Sequence, residues 1–208
     1  QMLLVGNIRN DELFEEEKDK NIIWMPTYRN SKNYHDSQDA IIFSIGDIEF
    51  NKMNNLLAEY EYHLYIKLHP LEESQFEFKN NYSNIHMLSE ETISQHYGTL
   101  YKFLGTTSAL ITDYSSVFLD YYLLNRPVAF TINDYEEYKE NRGFVFDDVK
   151  SLMAGPTISN LDELLKFLLS VMKSEDEFYI QRNKVNTIVN SIQRDFTKTL
   201  LESVGIDK

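Results

Sequence analysis

The feature that most constrains the fold is an alternation of short apolar runs with longer segments of helical periodicity, which begins near Asn21. The apolar runs have the length and the flanking Pro or polar residues of buried strands. The predicted strands are residues 22–25, 63–68, 84–88, 109–112 and 127–132. The predicted helices are residues 48–60, 89–104, 115–124, 161–172 and 175–192. Strands that alternate with helices in this way indicate an α/β fold with a Rossmann-like, doubly wound parallel sheet.

The composition limits the classes of protein and of partner. The chain has 208 residues, 42% of them hydrophobic, which is enough apolar side chain for one globular domain with a sizeable core. Its formal net charge of −13 opposes attraction to phosphate polymers, so nucleic acid is not an expected partner. No apolar run approaches the roughly 20 residues that span a bilayer, and the amino terminus lacks the features of a secretion signal. With no cysteine and no histidine pair at metal-binding spacing, neither disulfides nor a metal site is predicted, and a cytoplasmic location is the default.

Polar side chains follow four of the five predicted strands. The carboxyl ends of parallel strands meet at one edge of the sheet, where loops converge and helix amino termini offer unpaired N–H groups. We therefore expect these polar residues to line a common ligand-binding edge. They are Thr27 and Arg29 after the first strand, His69 after the second, Asp113, Ser115 and Ser116 after the fourth, and Asp134 and Arg142 after the fifth.

The turn at residues 112–116 is the most informative of these segments, because a strand passes directly into a helix that begins with two serines. Backbone N–H groups and the helix dipole favour a phosphate at such a terminus, and the hydroxyl groups of Ser115 and Ser116 can donate to it. The alternative is that Asp113 or Ser115 only caps the helix. The motif by itself supports both interpretations equally, and its place at the predicted edge favours phosphate binding.

Three further cationic or donor side chains are candidates at the same edge. His69 could donate to a diphosphate, although a single loop histidine is more often satisfied by the backbone. Arg29 and Arg142 could make charge-assisted contacts with phosphate, and Gly143 next to Arg142 would allow close approach of the backbone. In so acidic a chain, either arginine could instead be solvated or paired with a carboxylate.

Several sequence blocks, in the correct order, resemble the CDP-glycerol glycerophosphotransferases, which build teichoic acids and related bacterial polymers. A further block at residues 6–13 (GNIRNDEL) resembles the family's Gly-x-Pro-Arg-Asn-Asp segment, with Ile8 in place of the proline. The resemblance covers residues 6–169. The main blocks are residues 22–29 (IIWMPTYR), 66–70 (IKLHP), 110–120 (LITDYSSVFLD), 126–127 (RP) and 134–147 (DYEEYKENRGFVFD).

The resemblance implies a lobe of a GT-B-type transferase. Residues 1–208 would form the single carboxy-terminal lobe that binds the nucleotide donor, with a mostly helical part at 157–208. The family's amino-terminal lobe carries a Trp-His-Gly-Thr-Pro motif with the presumed general base. That motif is not in this sequence, where Trp24 is followed by Met and Pro. Either the chain is an excised domain or the natural protein has lost half of the site. We expect an excised lobe that binds CDP or CDP-glycerol weakly and does not turn over by itself.

The resemblance also assigns roles by position. It makes His69 and Asp113 the candidate catalytic residues, with Asp113 as an orienting or structural group rather than a base, and it suggests that Asp120 braces Ser116. No cofactor is implied, because CDP-glycerol or a related CDP-polyol is the substrate. The implied donor-binding and phosphate-binding residues are Thr27, Arg29, His69, Thr112, Ser115, Ser116 and Arg142.

Other interpretations remain open from the sequence. The same edge could serve a GT-B glycosyltransferase or an epimerase-like protein that uses a nucleotide sugar, or the chain could be a non-catalytic interaction module. Under the leading interpretation, the partners are a lipid-linked polymer acceptor and the missing amino-terminal lobe. The lipid-linked acceptor implies a peripheral position on the inner face of the cell membrane, although this lobe's negative charge would be repelled by an anionic leaflet.

Overall fold

The structure is a computed structural model that describes residues 3–27, 45–69, 78, 80–141 and 143–206. It contains a five-stranded sheet in which every neighbouring pair of strands is parallel. All five predicted strands are confirmed close to their predicted bounds, and with them the doubly wound α/β class. The strands are β1 (Asn21–Met25), β2 (His63–Ile66), β3 (Ile85–Met87), β4 (Thr107–Thr112) and β5 (Val128–Phe130).

The strand order is β3-β2-β1-β4-β5. The chain runs from β1 outward through β2 to β3, and then returns to the other side of β1 for β4 and β5. The direction of winding therefore reverses between β1 and β4. In open sheets of this kind, the crevice at such a reversal is where ligands bind.

The described residues form eight α-helices, and none of these is long and apolar enough to cross a membrane. The helix predicted at 89–104 is wrong as one element, because it is interrupted at Gly98, whose φ of +80° is unfavourable for other residues. The helix predicted at 175–192 is shorter than expected. The helices are α1 (Asp47–Tyr60), α2 (Glu90–His96), α3 (Leu100–Thr106), α4 (Val117–Tyr121), α5 (Tyr135–Asn141), α6 (Leu161–Met172), α7 (Tyr179–Val189) and α8 (Phe196–Ser203).

Apolar side chains cover both faces of the sheet, because successive residues of each strand point to opposite sides. One core contains Ile22 and Trp24 of β1 and packs against α1 and α6. The other contains Ile23 of β1 and packs against α2, α3 and α4. Burial on both sides explains why the strand sequences are continuously apolar rather than alternating.

The edge strand β5 is covered by the chain that follows the fifth helix. Phe130 N donates to Pro156 O at 2.9 Å, and Ile158 N donates to Phe130 O at 2.8 Å. Gly155 permits this approach, since a Cβ there would lie 1.8 Å from the carbonyl oxygen of Val128. The cover blunts an edge that could otherwise pair with another chain.

Asp120 of α4 joins three parts of the chain. Its carboxylate accepts hydrogen bonds from Arg9 Nη2 at 2.9 Å, from Asn10 Nδ2 at 3.1 Å and from the hydroxyl of Tyr101 at 2.6 Å. Burial, followed by the bond to Asp120, raises the pKa of Tyr101. The predicted role of Asp120 as a brace for Ser116 is therefore replaced by a link from α4 to α3 and to the 3-10 helix at Ile8–Phe14.

We expect Asp120→Ala to lower the free energy of unfolding by about 2 kcal/mol, because it leaves the buried side chain of Asn10 and the partly buried hydroxyl of Tyr101 without their acceptor. The measurement is urea unfolding followed by the fluorescence of Trp24, the single tryptophan, which is 1% exposed. Asp147→Ala, at an exposed position, is the matched control and should stay within about 0.5 kcal/mol of the parent. Equal stability of the two variants would contradict the role given to Asp120.

A second contact from the amino-terminal segment caps helix α8. The carboxylate of Asp11 accepts hydrogen bonds from Phe196 N at 2.9 Å and from Thr197 N at 2.8 Å. Burial by itself would raise the pKa of Asp11, but the hydrogen bonds from Thr197 and Phe196 outweigh it and lower this pKa below the ordinary value. The ionised carboxylate is thus the form that stabilises the fold.

Because the pKa of Asp11 is lowered in the folded state, the free energy of unfolding should depend on pH. The stability from Asp11 is present above the ordinary carboxyl pKa and is lost as the pH falls through the lowered pKa of the folded state. Asp11→Asn should therefore be less stable than the parent at about pH 6, and the gap should narrow toward about pH 3. Chemical unfolding at both pH values measures this difference in the free energy of unfolding. Asp195→Asn is the control, because the Asp195 side chain makes no capping bond to α8 within the described structure. A gap that is the same at both pH values would overturn the assignment.

Candidate functional site

The candidate site lies at the carboxyl edge of the sheet, where β1 and β4 end side by side. Met25 pairs with Thr112 in the last register position of these strands, and Thr112 Oγ1 donates to Met25 O at 2.8 Å. Lys67 N donates to Trp24 O at 2.9 Å, so β2 reaches the same level on the other side of β1. The loops after three neighbouring strands therefore leave the sheet together.

Asp113 connects two of these loops. Its side chain is completely buried; Oδ2 accepts a hydrogen bond from Thr27 N at 2.8 Å, and Oδ1 accepts one from Ser115 N at 3.3 Å. The second contact is a local turn of the kind that Asp commonly forms, whereas the first reaches the loop after β1. Burial and two backbone donors favour the orienting role for Asp113 over direct contact with a substrate.

Thr112 is part of the same scaffold. Its side chain is fully buried and its hydroxyl is used by Met25 O, while its own carbonyl accepts from Thr131 N at 2.8 Å. The structure therefore places Thr112 beneath the candidate site, where it ties the ends of β1, β4 and β5 together. In this arrangement, the hydroxyl is not open to a ligand.

The two serines occupy the turn between β4 and α4. Ser115 is half-buried and Ser116 is exposed. The regular helix begins only at Val117, two residues later than predicted, because Asp113 holds Ser115 N in a turn. Within the described residues, Ser116 makes no side-chain capping bond, and Ser115 Oγ accepts only a long one, of 3.5 Å, from Val117 N.

This geometry bears on the two interpretations of the turn, which are phosphate binding and helix capping. Capping by the serines is weak, and the local acceptor for the N–H group of Ser115 is Asp113. Helix α4 is only five residues long before it continues as a 3-10 helix at Tyr122–Leu124, so the dipole of a long helix is a smaller contribution than expected. Any anion here would be held chiefly by backbone N–H groups and by the hydroxyls of Ser115 and Ser116.

His69 lies on the same edge, beyond the end of β2, and is exposed. β2 and β4 flank β1, and strands in a sheet are about 4.8 Å apart, so His69 and the serine turn leave the sheet on strands about 10 Å apart. Asp113 brings Thr27 and Ser115 together, and His69 stands one strand further along. Arg29 and Arg142 lie outside the described residues, and their contribution to the site stays a prediction.

Sequence reasoning missed the side-chain packing around the turn. The Tyr114 hydroxyl donates to Asp134 Oδ1 at 2.8 Å, and the Tyr114 ring lies 4.1 Å from that of Tyr138. Both Tyr114 and Asp134 stand at strand ends in the sequence, but the separation of 20 residues hides the bond between them. Only the pairing of β4 with β5 brings them together.

Among the described residues, two of the pockets lie away from this edge. One, of about 480 Å³, is beside Pro127 and Val128 at the opposite end of β5 and includes the buried Arg182. That guanidinium is paired with Asp176 and also donates to Asn125 Oδ1 at 3.1 Å, so its charge is already balanced within the fold. The other, of about 770 Å³, lies beside α8. Strand topology and the polar residues, rather than cavity volume, locate the candidate site.

The chain is similar in sequence to proteins named for teichoic acid synthesis. A teichoic acid ribitol-phosphate primase of Bacillus spizizenii (strain ATCC 23059 / NRRL B-14472 / W23) is 28% identical over 151 residues, which cover 70% of this chain and 34% of the primase. A teichoic acid poly(glycerol phosphate) polymerase of the same strain is 31% identical over 157 residues, 72% of this chain and 36% of the polymerase. The chain thus spans about a third of the length of these curated relatives.

A solved structure has the same fold. It is a variant of the wall teichoic acid polymerase TagF soaked with CDPG, which matches 98% of this chain and 50% of its own with a TM-score of 0.63 at 22% identity. The family model described as CDP-Glycerol:Poly(glycerophosphate) glycerophosphotransferase matches residues 1–195. The match confirms the resemblance carried by the sequence blocks: the chain belongs to this glycerophosphotransferase family.

Proposed function

We propose that this chain is the donor-binding lobe of a polyol-phosphate transferase, and that it holds CDP-glycerol or a related CDP-polyol at the edge where β1 and β4 end. The observation that carries the proposal is the turn at the reversal of the sheet, where Asp113 fixes the backbone and leaves the hydroxyl of the exposed Ser116 accessible. Family membership and relatives named for glycerol phosphate and ribitol phosphate support it.

The proposed reaction is a phosphoryl transfer. An acceptor hydroxyl oxygen forms a bond to the phosphorus of the polyol phosphate, the bond from that phosphorus to the bridging oxygen breaks, and CMP leaves. The N–H group of Ser116 and the hydroxyls of Ser115 and Ser116, with His69, would donate hydrogen bonds to the diphosphate and stabilise the charge that develops on the leaving group. The proton of the acceptor hydroxyl would pass to a base, and the family resemblance implies that a residue of an amino-terminal lobe has this role.

The remaining assignments follow from the same proposal. Arg29 and Arg142 would add positive charge to the diphosphate, and Thr27 would shape the loop after β1. The acceptor would be a lipid-linked polymer, so the complete enzyme would work at the inner face of the cell membrane. The negative charge of this chain implies that other parts of the enzyme make the membrane contact.

We expect the 208-residue chain to bind CDP, and the double variant Ser115→Ala, Ser116→Ala to weaken this binding about tenfold or more, because two donors to the diphosphate are lost. Isothermal titration calorimetry measures the affinity. The control is the double variant Ser94→Ala, Ser191→Ala, which changes two exposed serines outside the turn and should bind CDP as the parent does. Binding, rather than turnover, is the readout because the general base is expected elsewhere.

Four results would count against the proposal. Absence of saturable heat with CDP would remove it, and equal affinities for the two double variants would move the site away from the turn. A larger thermal shift with UDP than with CDP would favour the alternative of a nucleotide-sugar enzyme. A non-catalytic module would show no thermal shift with CDP, UDP or GDP.

A further inference from the structure

A buried hydrogen bond joins the proposed phosphate-binding turn to the loop after β5. The hydroxyl of Tyr114, immediately before Ser115, donates to Asp134 Oδ1 at 2.8 Å, and both residues are 9% exposed. Asp134 immediately precedes helix α5, and its carbonyl accepts from Tyr138 N at 2.9 Å. The bond therefore connects the serine turn to the start of α5.

Aromatic rings reinforce this connection. The ring centroid of Tyr114 lies 4.1 Å from that of Tyr138 and 5.5 Å from that of Phe144, and Tyr135 stacks on Phe144 at 5.1 Å. Helix α5 has no buried residue of its own. Its partly buried tyrosines pack in the core that contains Tyr114, so α5 and the serine turn behave as one packed unit.

Two consecutive residues thus anchor the turn in two directions. Asp113 ties it to Thr27 after β1, and Tyr114 ties it to Asp134 after β5. Ser115 and Ser116 follow directly. Ordering flexible donors on binding costs free energy. If the donors of the turn are already held in place before the ligand arrives, this cost is smaller and the affinity is higher.

We propose that Tyr114 and Asp134 are positioning residues: their hydrogen bond holds Ser115 and Ser116 in the geometry that binds the donor diphosphate. This inference rests on the proposed function of the turn. It assigns a role to a phenol and a carboxylate that need not touch the donor. The carboxylate acts as the acceptor for the hydroxyl of Tyr114.

The test removes the bond while keeping the packing. Tyr114→Phe retains the ring and loses only the hydroxyl, and we expect the affinity for CDP to fall about fivefold to tenfold. Asp134→Asn retains an oxygen that can accept from Tyr114, so its affinity should stay within about twofold of the parent. In an Asp134→Ala background, Tyr114→Phe should have little further effect, because the two groups act through one bond.

Tyr121→Phe is the matched control. Tyr121 is fully buried, and its hydroxyl lies 2.9 Å from Thr107 Oγ1 at the opposite end of β4. The Tyr121→Phe variant loses a buried hydroxyl far from the turn. Its free energy of unfolding should therefore fall about as much as that of Tyr114→Phe, while its affinity for CDP should equal that of the parent. Affinities are measured at a temperature where far-ultraviolet circular dichroism shows every variant folded, together with the amide NMR shifts of Ser115 and Ser116.

The outcomes separate this inference from the proposed function. If Tyr114→Phe binds CDP as tightly as Tyr121→Phe, while the Ser115 and Ser116 double variant binds weakly, the positioning role is wrong and the site stands. If the Ser115 and Ser116 double variant binds CDP as tightly as the parent, the proposed site at the turn is wrong, and the positioning role no longer applies. Equal loss of affinity in Tyr114→Phe and Tyr121→Phe would show a general effect of stability and would also overturn the positioning role.

Discussion

The arrangement of the candidate site depends on a single buried carboxylate. Asp113 is withdrawn from water, and a buried charge is tolerated only when hydrogen bonds replace its hydration. Backbone N–H groups of Thr27 and Ser115 provide two of these bonds. Because they belong to the loops after β1 and β4, the requirement to satisfy Asp113 also sets the distance between the two sides of the crevice. The position of the serine turn therefore follows from the need to hydrogen-bond the buried carboxylate of Asp113 in the folded state.

The sequence blocks shared with the family divide into residues whose side chains hold parts of the fold together and residues that are exposed at the ends of strands. Asp120 is occupied by Arg9, Asn10 and Tyr101, and Arg126 Nη1 donates to the carbonyl of Gly105 at 2.6 Å. Asp120 and Arg126 therefore belong to the shared blocks because they hold parts of the fold together. Ser116 and His69, by contrast, are exposed at the ends of strands, and this exposure is what makes them candidates for chemistry.

The sequence predicted the strands well because each is a short, continuously apolar run with clear ends. It could not predict their order, since the pairing of β1 with both β2 and β4 depends on contacts between residues far apart in the chain. The start of α4 was predicted too early because the backbone of Ser115 is captured by Asp113, a side-chain bond that helical periodicity does not reveal. The link from Asp113 to Thr27 spans 86 positions and becomes visible only when the strands are adjacent.

The charge of the chain constrains how such a site can hold a diphosphate. With a net charge of −13, the long-range field repels an anion, so attraction must be local. Several cations of the sheet and its surroundings are already engaged: Lys67 Nζ lies 2.6 Å from Glu90 Oε1, and Arg182 is paired with Asp176. Under the proposed function, the neutral donors of the serine turn would supply part of the stabilisation, and their hydrogen bonds depend on direction as well as distance. A turn anchored on both sides meets that demand, because the geometry of its donors is fixed before the anion arrives.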